Sequence, residues 1–262
     1  MRGAGWQDFS SKQESTGRQS DAESARTIAG MHMLAQTEIR NGALEHGERP
    51  HRGASPIYDR TFLGATEFTG SIVSYPRRYA QIYREGEQVK YLYKVASGTV
   101  LTYKILESGR RQIAAFYVPG DVFGLEARGK HTLSAGAIAD CKLLLVGRSE
   151  LVAVAERDSD VASQLWTLTA AELRRVQDHI RLFGMPARER VAGFLVDLAQ
   201  RLSFKDEVVL PMARQDIADY LGLTIETISR SFTQLDQLGA IEVRTSRRIL
   251  ILNYSSLICL SA

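Results

Sequence analysis

The sequence predicts an α+β chain with an N-terminal β-roll, one long helix and a C-terminal winged helix-turn-helix. Three observations carry that prediction. Glycines at 86, 98, 109 and 120 stand 12, 11 and 11 residues apart, with β-type runs between them. Helical spacing of apolar residues then extends from about 158 to Gly184. Two short amphipathic stretches meet around Gly222, and a pair of apolar triplets follows.

A chain of 262 residues suits two globular domains plus a tail. Its 44% hydrophobic and 24% charged residues suit an ordinary globular core. The net charge of +3 does not identify a nucleic-acid binder, because nine basic residues balance nine acidic ones beyond position 184. Position, not bulk charge, must carry any such argument. Cys141 and Cys259 are the two cysteines, too few for a disulfide scaffold and suited to a reducing compartment. No apolar run has transmembrane length, and the N-terminus lacks the apolar core of a signal peptide. The expectation is a cytoplasmic protein with no membrane partner.

Residues 1–55 are rich in Gly, Ser, Gln, Arg and Glu and bury too little to offset ordering entropy, so a disordered extension is expected. The β-roll is assigned to 56–156. Runs at 89–95, 99–106 and 113–118 are rich in Tyr, Val, Ile and Thr, and turn signals at this spacing indicate an antiparallel sandwich or barrel. The turn glycines supply positive φ.

Residues 157–184 are assigned to the long helix. Asp158, Ser159 and Asp160 suit its N-terminal end, and Gly184 followed by Pro186 stops it. Leu165, Leu168, Leu173, Val176, Ile180 and Phe183 trace an approximate stripe with a register slip near Glu172. A helix this long beside a small β-domain points to a homodimer seam; the plainer reading is packing within one subunit. The rest, 185–262, opens with a helix burying Val191, Phe194, Leu195, Leu198 and Leu202, then a turn at Lys205-Asp206-Glu207 and a short strand at 208–210 before Pro211.

Residues 214–238 read as two helices about a tight turn at Gly222, with Thr224 capping the second. Ala218 and Ile228, four before and six after the glycine, let the helices cross closely. Ile225, Ile228, Phe232 and Leu235 are expected as the buried stripe. The other face carries Glu226, Ser229 and Arg230 at i, i+3 and i+4. In a major groove Arg230 can bind guanine bidentately, Glu226 can accept from a cytosine amino group, and Ser229 is adaptable. The plainer reading of Glu226 and Arg230 is an exposed ion pair. Beyond Gly239, two strands form a wing with Arg247 and Arg248 at its tip, assigned with Arg214, Thr224 and Thr227 to the DNA backbone, which positions but does not specify.

Three stretches resemble the Crp–Fnr superfamily of bacterial transcription regulators over roughly residues 60–255. They are Pro119-Gly120-Asp121-Val122-Phe123-Gly124, the run 214–224, and Ile225-Glu226-Thr227-Ile228-Ser229-Arg230. The last is similar to the recognition helix of the Fnr and FixK branches, where the cyclic-AMP branch has Gly in place of Ser229. The resemblance implies a cyclic-nucleotide-binding-like sensor roll and a homodimer on a palindromic TTGA-N6-TCAA type operator in double-stranded DNA. It also implies an activator that recruits RNA polymerase through the turn holding Arg110 and Arg111, and a FixK-like role in low-oxygen, nitrogen-fixation or respiratory gene control. Leu125 and Leu133 stand where the cyclic-nucleotide branch has polar pocket groups, so cyclic AMP is not expected to bind. No cysteine precedes Cys141, so the Fnr iron–sulfur cluster has no ligand set. Ala213 stands where the family commonly has a Ser or Thr cap. No cofactor or metal is expected.

Two readings of control stand: action by abundance, or gating by an unidentified effector, a haem on His131 or His179 included. A small-molecule receptor without a DNA role has no use for the 226, 229, 230 face. No nucleophile–base set or phosphate loop supports an enzyme. Cys141 reads as an inert core thiol.

Overall fold

The computed structural model describes residues 70–76, 78–202 and 207–261. The expected disordered extension, the start of the roll and most of the 205–207 turn lie outside the described residues.

The roll consists of two four-stranded antiparallel sheets. One has β1 (Ser71–Tyr75), β8 (Cys141–Gly147), β3 (Tyr91–Ser97) and β6 (Val122–Phe123) in that order. The other runs β2 (Gln81–Tyr83), β7 (Ser134–Ala137), β4 (Val100–Ile105) and β5 (Arg111–Tyr117). Tyr83, Tyr93, Val95, Val100, Tyr117, Phe123 and Leu143 form a core drawn from both. The pleat sends Leu92 to the opposite face, where it meets Val146, Leu151 and Val161. Gly98, at φ +82°, closes the β3–β4 turn where a Cβ would lie 2.4 Å from the Asp140 carbonyl oxygen. The bounds of the three expected runs each shift by one or two residues, to Tyr91–Ser97, Val100–Ile105 and Arg111–Tyr117. Strand β3 starts at Tyr91 rather than 89, and β5 starts at Arg111, which takes that arginine out of the turn.

Helix α1 (Arg148–Ala155) leads into the long helix α2 (Ser159–Phe183) of 25 residues, about 37 Å. The Asp158 side chain caps it by accepting from the amides of Asp160 and Val161. Helix α3 (Ala187–Arg201) follows after three residues and buries Val191, Phe194, Leu195 and Leu198, as their spacing requires. Helices α4 (Arg214–Leu221) and α5 (Ile225–Gln237) are the helix-turn-helix. Strand β9 (Glu207–Val209) joins β10 (Ile241–Val243) and β11 (Arg248–Ile251) in a sheet ordered β10-β11-β9. Helix α6 (Tyr254–Leu260) packs against α3 and buries Leu257.

One hydrophobic cluster crosses from roll to helix-turn-helix: Leu101, Ile113 and Phe116 join Phe194, Leu198 and Tyr220. Asp121, in the Pro-Gly-Asp turn, ties three elements. It accepts from the Val118 amide at 2.7 Å and pairs with Arg175 of α2 and Arg201 of α3.

The apolar residues of α2 divide between two faces, and this corrects the single stripe expected from sequence. Leu165 and Leu168 pack on the chain's own cluster with Val161 and Leu92. Leu173, Val176, Ile180 and Phe183 are exposed, and so is Trp166, at 76%. Trp166, Thr169, Leu173, Val176, Ile180 and Phe183 alternate steps of three and four, the a and d positions of a heptad. The slip near Glu172 is where a line drawn through both faces changes from one to the other.

Candidate nucleic-acid interface

Gly222 adopts φ +66° and ends α4 in the left-handed region, where its Cβ would stand 2.8 Å from the Phe183 ring. Thr224 then caps α5: its hydroxyl oxygen accepts from the Thr227 amide at 3.2 Å and lies 3.1 Å from the Thr227 hydroxyl. Ile217, Ala218, Leu221, Ile228, Phe232 and Leu235 are buried between the helices. Ile225 is not. It is 39% exposed, at the first residue of α5.

Glu226, Ser229 and Arg230 lie side by side on the exposed face of α5. The Glu226 carboxyl is held below the usual range, first by its own backbone amide at the helix start, then by the Thr224 hydroxyl and the charge of Arg230. The Ser229 hydroxyl donates to the Ile225 carbonyl at 2.9 Å, which leaves its lone pairs outward as acceptors. Arg230 makes no hydrogen bond or ion pair within 4 Å among the described residues, and its interaction with Glu226 is limited to the through-space effect of its charge. The face is a row of acceptor, acceptor and fivefold donor at the N-terminal half of a helix.

The residues assigned to the DNA backbone differ in their readiness. Arg214 lies flat over the Phe232 ring, 3.3 Å from guanidinium carbon to ring centre. Burial lowers its pKa to about 10, and one Nη1 donor is buried without a partner among the described residues. Arg247 is folded back, donating to the Pro211 carbonyl at 2.9 Å, and Arg248 lies 3.7 Å from Glu207. At the wing tip the Thr245 hydroxyl accepts from the amides of both arginines.

Several contacts seat this motif on the rest of the chain, and sequence reasoning missed them. Arg190 donates to the carbonyls of Phe183 at 2.7 Å, Met185 at 2.8 Å and Leu221 at 3.1 Å, tying the ends of α2 and α4 together. Nε2 of His179 lies 2.9 Å from the Tyr220 carbonyl oxygen, and the two rings stack at 3.9 Å; burial lowers the His179 pKa. Arg111 pairs with Asp216 and with Asp219 at 2.7 Å. Of the two arginines assigned to a polymerase contact, only Arg110 therefore stands free at the turn; Arg111 is committed to α4. The heptad period could have revealed Trp166. Arg190 takes two of its acceptors from the turn five to seven residues before it and the third from Leu221, which no local pattern marks.

His131 is buried against Glu126, its ring stacked on Tyr83 at 3.5 Å. Cys141 is buried and Cys259 exposed. Among the described residues no three His, Cys, Asp or Glu side chains gather as metal ligands, and no helix is long and apolar enough to cross a membrane.

Residues 73–158 match the model of the cyclic nucleotide-binding domain, and residues 189–260 that of the Crp-like helix-turn-helix domain. The chain is 46% identical over 186 residues to the nitrogen fixation regulation protein FixK of Azorhizobium caulinodans, covering 69% of this chain and 75% of that protein. It is 39% identical to FixK of Rhizobium meliloti, over 68% of this chain and 81% of the relative. The solved structure of FixK2 from Bradyrhizobium japonicum is similar at TM-score 0.71 and 46% identity, covering 74% of this chain and 98% of that one. The chain belongs to the Crp–Fnr superfamily of bacterial transcription regulators, in its FixK-like branch.

Proposed function

We propose that the protein is a cytoplasmic homodimeric activator that reads a palindromic TTGA-N6-TCAA type operator, with a FixK-like role in nitrogen-fixation or low-oxygen gene control. The observation that carries this reading is the unpaired, exposed Arg230 beside Glu226 and Ser229 on a capped, amphipathic helix. Arg230 takes guanine, Glu226 a cytosine amino group, and Ser229 a neighbouring base. Arg214 stacks over Phe232 beside the helix start that Thr224 and Thr227 line, and these three residues are assigned to phosphates. Arg247 and Arg248 reach phosphates by exchanging their intrachain partners for them. Subunits meet along Leu173, Val176, Ile180 and Phe183, with Trp166 added and Leu165 and Leu168 turned to their own subunit. Polymerase contact rests on Arg110 alone. The roll works without a cyclic nucleotide, and the protein is a regulator rather than an enzyme. The proposed division is an extension over 1–55, the roll over 56–156, the long helix over 157–184 and the DNA-binding domain over 185–262.

The test is Arg230→Ala against Arg247→Ala on a half-site library at two salt concentrations. Arg230→Ala costs about 1–3 kcal/mol on the specific site and relaxes one guanine. Arg247→Ala weakens all sequences alike and lowers the salt slope by about one ion. Equal loss on specific and random DNA for Arg230→Ala would make it a phosphate clamp and overturn the base-reading assignment.

A further inference from the structure

We propose that Arg111 is a positioning residue: with Tyr79 it latches the first helix of the helix-turn-helix to the β-roll and so sets the operator spacing the dimer accepts. This rests on the DNA reading above.

The latch joins roll residues to α4. Arg111 Nε donates to Asp219 at 3.0 Å and its Nη2 at 2.7 Å, while Nη2 also reaches Asp216. The Tyr79 hydroxyl donates to Asp216 at 2.9 Å, on the same Oδ2 that accepts from the Ala213 amide at 2.9 Å. Asp216 is 1% exposed, a buried carboxylate whose donors come from both sides of the junction. Removing the roll's donors leaves it partly unsatisfied, so the junction holds one arrangement. Tyr79 sits at φ +58°, a left-handed conformation that strains a tyrosine and that its neighbours must maintain. Its amide bonds the Ala137 carbonyl at 2.6 Å, and Arg111 lies 5.8 Å over its ring.

The C-terminal end of α4 is held separately. Arg190 grips the Leu221 carbonyl at 3.1 Å together with the end of the long helix. The latch on Asp216 and Asp219 and the grip on Leu221 together fix the tilt of α4 relative to α2. Helix α5 moves with α4 because Ile217 and Ala218 share a core with Ile228. A helix of 13 residues is about 20 Å long, so a tilt of roughly 10° displaces its end by roughly 3.5 Å. That displacement is close to the rise of one base pair, about 3.4 Å. With the latch open, recognition helices on a two-fold dimer sample neighbouring spacings.

The test uses the full chain, as wild type, Arg111→Ala, and the exchange of Arg111→Asp with Asp219→Arg. Affinity is measured on operators whose half-sites are separated by five, six or seven base pairs. Wild type should favour six; Arg111→Ala should lower that preference about tenfold, and the exchange should recover part of it. In parallel, spin labels at Glu107→Cys and Gln237→Cys in a Cys259→Ser background report the roll-to-recognition-helix distance without DNA. Arg111→Ala should broaden that distribution. An unchanged distribution, or equal affinity loss at every spacing, overturns the latch. If wild type shows no spacing preference, the DNA reading fails, while the distance distribution still decides whether the latch exists.

Discussion

Ile180→Glu separates the two faces of the long helix. Ile180 is 63% exposed in the single chain, so the substitution disturbs little of the folded subunit, and such surface changes shift stability by about 0.5 kcal/mol or less. In a two-fold pair along the heptad face the same side chain is buried. Losing one buried isoleucine costs about 1.5–3 kcal/mol, and symmetry counts it twice, giving about 3–6 kcal/mol before the carboxylate's own desolvation. At about 1.4 kcal/mol per tenfold, the dimer dissociation constant rises roughly 10² to 10⁴. Sedimentation velocity across a protein concentration series reads this directly. Operator affinity should fall with it, because half-sites about 34 Å apart need two subunits. Leu165→Glu is the contrast: it lies on the chain's own cluster, so it should lower the melting temperature of the subunit itself. If Ile180→Glu stays dimeric at wild-type concentrations and binds the operator unchanged, the exposed face is not the subunit seam.

Gly222→Ala forces a side chain into the left-handed region, costing about 1–2 kcal/mol, and pushes on the Phe183 ring 2.8 Å away. Calorimetry should show a melting temperature lower by about 2–8 °C, and an unchanged value would contradict the packing described here. Titration calorimetry with cyclic AMP and cyclic GMP should give no heat, because Leu125 and Leu133 offer no polar partner and Leu125 packs with Leu92 and Val122; micromolar binding would refute this. A maleimide at neutral pH should label exposed Cys259 at once. Burial pushes the Cys141 thiol up to about 12, so it stays protonated and should react only on unfolding, and early double labelling would contradict its place in the core.

Local patterns determined most of the fold. Glycine spacing sets the turns of the roll, since positive φ is required at Gly86, Gly98, Gly109 and Gly120. Asp158 fixes the start of the long helix because its side chain accepts from the amides of Asp160 and Val161, whereas Gly184 keeps an ordinary right-handed conformation and Pro186 marks the stop. The recognition face was legible because residues three and four apart on one helix are neighbours wherever that helix lies.

Tertiary structure decided what depends on partners distant in the chain. Leu165 and Leu173 are the same residue type on the same helix, and only the roll packed beside α2 separates the inner face from the outer one. Ile225 fits the apolar period of α5, yet it is exposed, since nothing in the period says whether a neighbouring segment covers the first turn. Arg110 and Arg111 are adjacent and chemically identical, but the pleat and the position of α4 leave one in solvent and give the other two carboxylates. Periodicity reports which side chains share a face; what covers that face is set by chain segments a hundred residues away, as Asp216 and Arg111 are.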